Sequence, residues 1–222
     1  MIASRHAPRF HGLYPIIDAD LCAARRLDPR ALAEACLRGG APVLQLRAKT
    51  MGSGQALVLA DDLVAMAHLH GARLIVNDRA DLACLAAADG VHVGQDDLAV
   101  EDVRAIAGPD MTIGISTHDP RQVEAAILTS ADYLAVGPIY ETTTKATGYS
   151  ARGLDLVRCA AGRGRPVVAI GGITLARAPE VLAAGADAVA IITDLMTGEP
   201  EQRVRTFMAA ARRGRSDESE RV

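Results

Sequence analysis

Residues 185–193, GADAVAIIT, place a turn of small residues directly before a run of β-branched and apolar side chains. Related units occur at 39–46 (GGAPVLQL), 71–76 (GARLIV), 87–93 (AADGVHV) and 130–136 (SADYLAV). A glycine or small residue after a helix supplies a left-handed turn, and a continuous apolar run is typical of a parallel strand buried on both faces. The repeat therefore predicts helices that lead directly into strands of a buried parallel sheet.

Eight apolar runs along the chain are predicted as strands, and the Ala- and Leu-rich segments between them as helices. The predicted strands cover residues 13–18, 43–48, 74–78, 90–94, 112–117, 133–138, 167–173 and 188–193. One helix is predicted over 29–38, with Asp28 as N-cap and Pro29 in the first turn, and Asp119 with Pro120 opens another in the same way. Strands joined by helical crossovers run parallel. Eight such units, with no GxGxxG after the first strand, favour an α/β fold of the closed (β/α)₈ TIM barrel type over an open doubly wound sheet.

Length and composition fit one barrel domain spanning residues 1–222. The chain has 222 residues, of which 50% are hydrophobic, and barrels of this kind take about 200 to 250 residues. A short N-terminal extension over about 1–12 and a charged, frayed C-terminal tail over about 212–222 are expected outside the barrel. The net charge of -3, with no Trp, two Phe and four Tyr, disfavours nucleic acid as a partner.

The sequence also indicates a cytoplasmic, soluble protein. No apolar run reaches the roughly 18 residues of a membrane span, and the N-terminus lacks the apolar region of a secretory signal. The four cysteines stand far apart without a CxxC pair, so they are predicted to be reduced and mostly buried thiols.

Polar side chains gather at the carboxyl ends of the predicted strands. In the second strand Gln45, Arg47 and Lys49 alternate, so the pleat directs all three to one side. Further polar or glycine residues at strand ends are Asn77, Asp78, Gln95, Asp96, Asp97, Ser116, Thr117, His118, Thr142, Thr143, Thr144, Lys145, Gly171, Gly172, Thr193 and Asp194, whereas the amino ends carry small or apolar residues such as Val43, Leu74, Val91 and Val167. A lone polar residue at a strand end is usually solvated or caps a helix. Because all carboxyl ends of a barrel meet at one mouth, the asymmetry predicts one shared site there.

The residue types at this mouth indicate an anionic ligand and a metal. Arg47, Lys49 and Lys145 are expected to repel one another unless an anion binds between them, the alternative being independent surface cations. Asp78 and Asp97 end adjacent strands and supply the hard oxygen ligands that suit Mg²⁺ and phosphates, whereas zinc is disfavoured because no Cys or paired His is near. Together these residues predict a pyrophosphate site.

A second anion site is predicted after the seventh and eighth strands. Gly171, Gly172 and Thr193 fall where barrels of this kind commonly bind phosphate, although two glycines can also serve only a tight turn. Two anionic sites in one mouth, one with a metal and one without, would suit two phosphorylated substrates.

Seven ordered motifs between about Leu13 and Thr193 closely resemble the thiamine-phosphate synthases. They are QLRAK at 45–49, VNDRADLA at 76–83, ADGVHVGQDD at 88–97, GISTH at 114–118, ADYLAVGPIYETTTK at 131–145, VVAIGGI at 167–173 and GADAVAIIT at 185–193. The resemblance implies a (β/α)₈ barrel that joins 4-amino-5-hydroxymethyl-2-methylpyrimidine pyrophosphate to a thiazole phosphate, often carboxylated and then losing CO₂, with release of pyrophosphate.

The resemblance also implies roles for individual residues. The pyrimidine pyrophosphate would be held by Gln45, Arg47, Lys49, Asn77, Ser116 and Lys145, the Mg²⁺ by Asp78 and Asp97, and the thiazole phosphate by Thr142, Thr144, Gly172, Ile192 and Thr193. The sequence departs from the family pattern at Ala48, Glu141 and Thr193, where Glu, Pro and Ser are usual. Thr193 keeps the hydroxyl, so this departure concerns only the fit to the phosphate, and Ala48 alternates away from Arg47 and Lys49.

The implied mechanism is dissociative, because the aminopyrimidine ring can support a benzyl-type cation while Mg²⁺, Arg47, Lys49 and Lys145 stabilise the departing pyrophosphate. No protein nucleophile is required, and neither Cys84 nor Ser116 has a base placed beside it by sequence.

Two alternatives remain open at this stage. One is a thiazole tautomerase, in which His118 moves a proton, and the other is a non-catalytic phosphate-binding barrel. His68, His70 and His92 are interpreted as structural. A homo-oligomer remains open.

Overall fold

The computed structural model describes residues 10–142 and 148–219, and these ranges contain strands and helices in alternation. The strands are β1 (Gly12–Asp18), β2 (Val43–Arg47), β3 (Arg73–Asn77), β4 (Gly90–Val93), β5 (Thr112–Thr117), β6 (Tyr133–Val136), β7 (Val167–Ile170) and β8 (Ala188–Ile191). The helices are α1 (Ala19–Ala24), α2 (Pro29–Arg38), α3 (Ser53–Leu69), α4 (Ala80–Leu85), α5 (Val100–Ala107), α6 (Pro120–Ile127), α7 (Gly153–Ala160), α8 (Ala178–Ala183) and α9 (Pro200–Ser219), with a 3₁₀ helix at Thr193–Met196.

The eight strands form one closed barrel in chain order. Every neighbouring pair is parallel, and β1 closes the ring by pairing with β8 as well as β2. The predicted (β/α)₈ barrel is therefore confirmed. Several strands end earlier than predicted, most clearly β7, because Gly171 and Gly172 adopt φ values of 104° and 62° that turn the chain out of the sheet.

Aspartates at the amino-terminal end of the barrel explain part of the sequence repeat. Asp89, Asp132 and Asp187 directly precede β4, β6 and β8. Each carboxylate accepts a hydrogen bond from a backbone N–H of the preceding strand in the sequence, which is β3, β5 or β7. The three N–H donors belong to Leu74, Ile113 and Val167, at 2.9, 2.8 and 2.9 Å. The expectation of only small or apolar residues at this end was incomplete. These acids stabilise the sheet and, because they are occupied by backbone donors, leave the chemistry to the opposite end.

Side chains fill the barrel interior. Phe10, Tyr14 and Tyr133 pack there, and the rings of Phe10 and Tyr133 lie 4.1 Å apart between centroids. A methyl group added at Gly114 would lie 2.0 Å from Tyr133 Cζ, so β5 has a glycine where β6 contributes a large ring. The interior is a packed core with its open, polar end at the carboxyl-terminal mouth.

The predicted helix starts are confirmed at α2 and α6. The Asp28 carboxylate accepts from Arg30 N–H at 3.0 Å, and the Asp119 carboxylate accepts from Gln122 N–H at 2.9 Å. A third cap, at Asp18, accepts from Leu21 N–H at 2.9 Å and begins α1. Since such caps satisfy N–H groups that have no partner inside the helix, each helix begins directly after its aspartate.

The C-terminal helix differs from the prediction. α9 packs on α2, α8 and β1 through Val204, Phe207 and Met208, which are buried. Its backbone continues as helix to Ser219, past Arg212, where the sequence indicated a frayed tail. Arg and Glu are good helix formers, so a charged, apolar-poor composition does not by itself end a helix.

The cysteines match the predicted thiols in part. Cys22 and Cys36 are buried, Cys159 is intermediate and Cys84 is exposed, and all four are free. Burial raises the pKa of Cys22 to about 11 and that of Cys36 to about 12, so both remain protonated and unreactive. In the described part of the chain, no helix combines the length and apolar character needed to cross a membrane.

Candidate active site

Two cavities open side by side at the carboxyl-terminal mouth of the barrel. The smaller, of about 320 Å³, lies at the ends of β2 to β5, and the larger, of about 500 Å³, lies at the ends of β5 to β8. Ser116 and His118, at the end of β5, line both cavities. The predicted convergence of polar strand ends is therefore seen, and the mouth has room for two neighbouring ligands.

Arg47 at the end of β2 is held by an acid that the sequence analysis did not single out. Its Nη1 donates to Asp18 Oδ2 at 2.6 Å, and Asp18 is 2% exposed. The two residues are register partners of β1 and β2, which is why they meet. The Asp18 carboxylate also caps α1, so its position is fixed from two sides. Asp18 ends the first predicted strand, and this position was the available signal for it.

Lys49 and two aspartates form the second charged group of the smaller cavity. The Lys49 ammonium forms an ion pair with Asp78, and Asp97 lies within hydrogen-bonding reach of the same carboxyl. Asp78 has a φ of 63°, in the left-handed region, and its N–H donates to the His92 carbonyl at 2.7 Å. This turn ends β3 and directs the carboxylate into the mouth.

The pKa values of the two aspartates move in opposite directions. Burial raises the pKa of the Asp78 carboxyl, and the neighbouring Asp97 raises it further against the opposing effect of Lys49. Partial burial also acts to raise the pKa of Asp97, but the Gly94 N–H at 2.8 Å, Asp78 and Lys49 outweigh it and lower that pKa. Two carboxyl groups thus share a small space in which a cation would relieve their repulsion.

These two carboxylates fit a magnesium ion. Both are hard oxygen donors, they meet at the edge of a cavity open to water, and Mg²⁺ commonly binds through one or two carboxylates while keeping waters and contacting phosphates. Within the described ranges, no group of three or more His, Cys, Asp and Glu side chains could hold a metal. The arrangement therefore suits a metal that completes its coordination with ligand and water oxygens.

The sequence predicted mutual repulsion among three cations at the mouth. That prediction was wrong for Arg47 and Lys49, the two that the structure describes. Arg47 is paired with Asp18 and Lys49 with Asp78, so each cation has an acid at its side. Lys145 lies outside the described residues, as does Thr144.

The larger cavity carries backbone groups and a further cation. Gly172 forms part of the cavity wall. A Cβ at this position would lie 2.5 Å from the Glu141 carbonyl oxygen, so the glycine turn packs closely against the Glu141 backbone. Arg177, which the sequence analysis missed, lines the same cavity and donates to the Gly172 carbonyl at 2.8 Å. Asp194, also on this wall, accepts three hydrogen bonds from Arg203, at 2.7, 2.8 and 3.1 Å. With that acid occupied, Arg177 gives the cavity a positive group.

The remaining predicted residues divide between the cavities. The smaller cavity is lined by Arg47, Lys49, Asn77, Asp78, Asp97 and Ser116, and the larger by Ser116, Thr142, Gly172, Ile192 and Thr193. Gln45 lies deeper, 2% exposed, with its Nε2 donating to the Tyr14 hydroxyl at 3.0 Å. Its Oε1 is buried and has no hydrogen-bond partner among the described residues.

Two histidines belong to this mouth. His92, interpreted from sequence as structural, lines the smaller cavity and contacts Ser116 Oγ through Nε2 at 2.9 Å. His118 places Nδ1 2.5 Å from the Gly137 carbonyl oxygen and stacks on Tyr149 with ring centroids 4.1 Å apart. The exposed Cys84 lies instead on a cavity at the amino-terminal end, with Arg73 and Asp89.

Comparisons with known proteins agree with this geometry. The family model described as thiamine monophosphate synthase matches residues 13–195. A thiamine-phosphate synthase from Koribacter versatilis is 42% identical over 200 residues, which are 88% of this chain and 93% of that one. Another from Mycobacterium tuberculosis is 43% identical over 202 residues, covering 84% of this chain and 90% of the relative.

A solved structure shows the same similarity in three dimensions. A thiamine phosphate pyrophosphorylase from Pyrococcus furiosus superimposes with a TM-score of 0.84 at 30% identity, over 93% of this chain and 98% of that one. Both the sequence match and the barrel extend across the strands that build the mouth. The chain therefore belongs to the thiamine monophosphate synthase family, transferases of thiamine biosynthesis.

Proposed function

We propose that this enzyme joins 4-amino-5-hydroxymethyl-2-methylpyrimidine pyrophosphate to a thiazole phosphate, giving thiamine phosphate and pyrophosphate. With the carboxylated thiazole the reaction would also release CO₂. The observation that carries the proposal is the pair of adjoining cavities that share Ser116 and His118. Two substrates bound in them would place their reacting atoms side by side, which lowers the entropic cost of coupling.

The smaller cavity is proposed to hold the pyrimidine pyrophosphate. Arg47, Lys49, Asn77 and Ser116 supply donors along its wall, and Lys145 is added on the family resemblance. Gln45, which lies on β2 below this cavity, is added on the family resemblance as well.

The larger cavity is proposed to hold the thiazole phosphate. Thr142, Gly172, Ile192 and Thr193 line it, and Thr144 is added on the family resemblance. Backbone groups of a glycine turn and a threonine hydroxyl are suitable phosphate donors, and Arg177 adds positive charge. Thr193 retains the hydroxyl group of the serine that is usual in the family.

Asp78 and Asp97 are proposed to hold Mg²⁺, which when bound supplies positive charge to the pyrophosphate oxygens. Lys49, already beside Asp78, would contribute a second positive charge on the same side of the leaving group. Arg47 is fixed by Asp18, so its guanidinium needs no reorganisation when charge develops.

The chain's residues support a dissociative reaction without a protein nucleophile. The bond between the pyrimidine methylene carbon and the pyrophosphate oxygen breaks, both electrons leave with the oxygen, and the thiazole nitrogen then donates its pair to the carbon. Arg47 and Lys49 stabilise the negative charge on the departing pyrophosphate. Ser116 contacts His92 but stands at a position suited to hydrogen bonding with either ligand, and no attack by its hydroxyl is needed.

A thiazole tautomerase that uses His118 is less well supported. The Nδ1 of His118 donates to the Gly137 carbonyl, so a neutral ring would carry its proton on Nδ1. However, such an isomerisation does not require the paired carboxylates and cations that line the smaller cavity. A non-catalytic phosphate-binding barrel would likewise not require two adjoining cavities.

We also propose that the enzyme is cytoplasmic, where its four free cysteines would remain reduced.

Pyrophosphate release tests the proposal. The protein is mixed with both substrates and Mg²⁺, and release is followed with either substrate omitted and again in excess chelator. Release that requires both substrates, stops in chelator and returns with added Mg²⁺ is expected. Release without the thiazole phosphate would contradict coupling, full activity in chelator would contradict the metal assignment, and no release at all would favour the binding barrel.

A further inference from the structure

Five polar side chains form a continuous hydrogen-bonded chain through the barrel interior, defined here as the interior chain. In order they are Gln45, Tyr14, Tyr133, His92 and Ser116. The successive donor–acceptor distances are 3.0 Å, 3.0 Å, 2.8 Å to His92 Nδ1 and 2.9 Å from His92 Nε2. The interior chain begins at Gln45 on β2, below the mouth. It passes through side chains of β1, β6 and β4 and ends at Ser116 on β5, at the boundary between the two cavities.

The protons of such a chain are ordered. Tyr14 and Tyr133 are completely buried side chains, and burial raises the pKa of both phenols, so each keeps its proton. A phenol has one proton to donate, and a neutral imidazole has one nitrogen that donates and one that accepts. When each phenol donates its proton within the interior chain, the direction of one hydrogen bond determines the direction of those that follow.

We propose that the interior chain runs from Gln45 to Ser116, so that Tyr133 is a positioning residue that donates to His92 Nδ1 and thereby fixes the Nε2–H form of that ring. His92 then donates to Ser116 Oγ. The Ser116 proton is consequently not used within the interior chain and is available for a ligand at the mouth.

The direction follows from the first member. Gln45 faces Tyr14 with its amide nitrogen, which can only donate. Among the described residues the Tyr133 hydroxyl is the acceptor within reach of the Tyr14 proton, so Tyr14 donates to Tyr133, and Tyr133 in turn donates to His92. If the hydrogen bonds ran the other way, Gln45 would accept from Tyr14 through Oε1, and both N–H groups of its amide would be buried away from the Tyr14 oxygen. Ser116 would then donate its proton to His92.

The packing around Tyr133 keeps the central link in place. Phe10 lies against one side of the ring, His92 stacks at 5.4 Å between centroids, and the missing side chain of Gly114 leaves the space that the ring fills. A ring held from three directions cannot rotate its hydroxyl away from Nδ1 without disturbing the core.

The consequence for catalysis rests on the proposed function. If pyrophosphate leaves from the smaller cavity, a serine whose proton is free can donate to the oxygen that gains charge. A serine whose proton is used on His92 could only accept from its ligand. Tyr133 would therefore affect the rate although it lies beneath the mouth and outside both cavities.

The tautomer of His92 can be measured directly. Full-length protein labelled with ¹⁵N-histidine is studied by NMR with Mg²⁺ present, and the ring signals are assigned through their correlation with the His92 backbone. The proposal predicts a neutral ring with the proton on Nε2. A proton on Nδ1, or on both nitrogens, would overturn it.

Two variants test the direction of the hydrogen bonds in the interior chain separately from the existence of those bonds. Tyr14→Phe should leave the Nε2–H form in place, because Tyr133 still donates to Nδ1. Tyr133→Phe should lose the fixed tautomer and lower kcat for pyrophosphate release on the order of tenfold, as when an outer hydrogen-bond partner of a functional group is lost. Tyr140→Phe is the matched control, since its hydroxyl contacts Glu180 outside the interior chain, and it should change neither the tautomer nor kcat.

The outcomes remain decisive if a variant does not fold. Should Tyr133→Phe be unfolded, the wild-type tautomer and its persistence in Tyr14→Phe still decide the direction. A folded Tyr133→Phe with the wild-type tautomer and wild-type kcat would contradict the inference. Absence of pyrophosphate release from the wild type would contradict the proposed function instead, and leaves the NMR result readable on its own.

Discussion

At the scale of single residues, the two described cations of the smaller cavity, Arg47 and Lys49, each have an acidic partner. Arg47 is only 16% exposed in its side chain and Asp18 4%, so their ion pair is screened less by water than the surface pairs of this protein. The Arg47 Nε is also buried without a partner among the described residues. Asp18 therefore determines where this guanidinium points.

Asp18→Asn tests this dependence. Asparagine keeps an oxygen for the Leu21 N–H and so retains the cap of α1, but it removes the charge beside Arg47. We expect a loss of about 1–3 kcal/mol in the free energy of unfolding, below the cost of breaking a fully buried pair because Arg47 borders the open mouth. We also expect kcat/KM for coupling to fall on the order of tenfold.

Denaturant unfolding and initial rates measure both effects. The matched control is Asp28→Asn, which changes another capping aspartate on the exposed start of α2 and should cost no activity. Equal unfolding free energies and equal rates for the two variants would contradict the role given to Asp18.

At the scale of elements, the barrel depends on which strand contributes a large side chain and which makes room. β5 supplies Gly114 opposite the ring of Tyr133 on β6, and the added methyl group of Gly114→Ala would meet that ring at 2.0 Å. We expect Gly114→Ala to lower the free energy of unfolding by about 1–3 kcal/mol or more, the usual cost of overpacking a filled core.

Gly54→Ala is the matched control for that substitution. Gly54 lies in the first turns of α3, with no atom within 4 Å of the added Cβ. Alanine favours a helix over glycine by up to about 1 kcal/mol, so this variant should be at least as stable as the wild type. If both alanine variants unfold at the same denaturant concentration, β5 and β6 are not packed as described.

The elements were largely predictable from the sequence, whereas their contacts were not. Buried parallel strands preceded by small-residue turns gave a pattern strong enough to identify all eight, and Asp28 with Pro29 marked a helix start. Strand ends were predicted less well, because Asp78, which follows the last residue of β3, adopts a positive φ that is uncommon for residues other than glycine and that local propensity does not indicate. The pairing of Asp18 with Arg47 and the interior chain depend on strand register, which a single sequence does not contain.

At the scale of the whole molecule, the two ends of the barrel use their polar groups differently. At the amino-terminal end Asp89, Asp132 and Asp187 are occupied by backbone N–H groups. At the mouth, side chains line two cavities that meet at Ser116 and His118. The end that stabilises the fold is therefore distinct from the end at which we propose that ligands bind.

The separation of the two cavities predicts separable binding defects. Thr193→Val keeps the shape of the side chain but removes its hydroxyl from the larger cavity, and should raise KM for the thiazole phosphate about tenfold, the effect of one lost hydrogen bond to a charged ligand. Asn77→Ala, in the smaller cavity, should raise KM for the pyrimidine pyrophosphate instead. Steady-state kinetics with each substrate varied in turn measures both, and a Thr193→Val variant affected only toward the pyrimidine would contradict the assignment.

We propose that this mouth stabilises the negative charge on a departing pyrophosphate, and the comparison of Asp97→Asn with His118→Asn measures this most directly. Asparagine at 97 can still accept from the Gly94 N–H, and asparagine at 118 can still donate to the Gly137 carbonyl, so both folded variants should melt near the wild type. The measured quantities are the initial rates of coupling and of thiazole isomerisation. We predict that the coupling rate of Asp97→Asn falls roughly a hundredfold or more, while His118→Asn retains a substantial fraction of the wild-type coupling rate. Intact coupling in Asp97→Asn together with lost isomerisation in His118→Asn would contradict it.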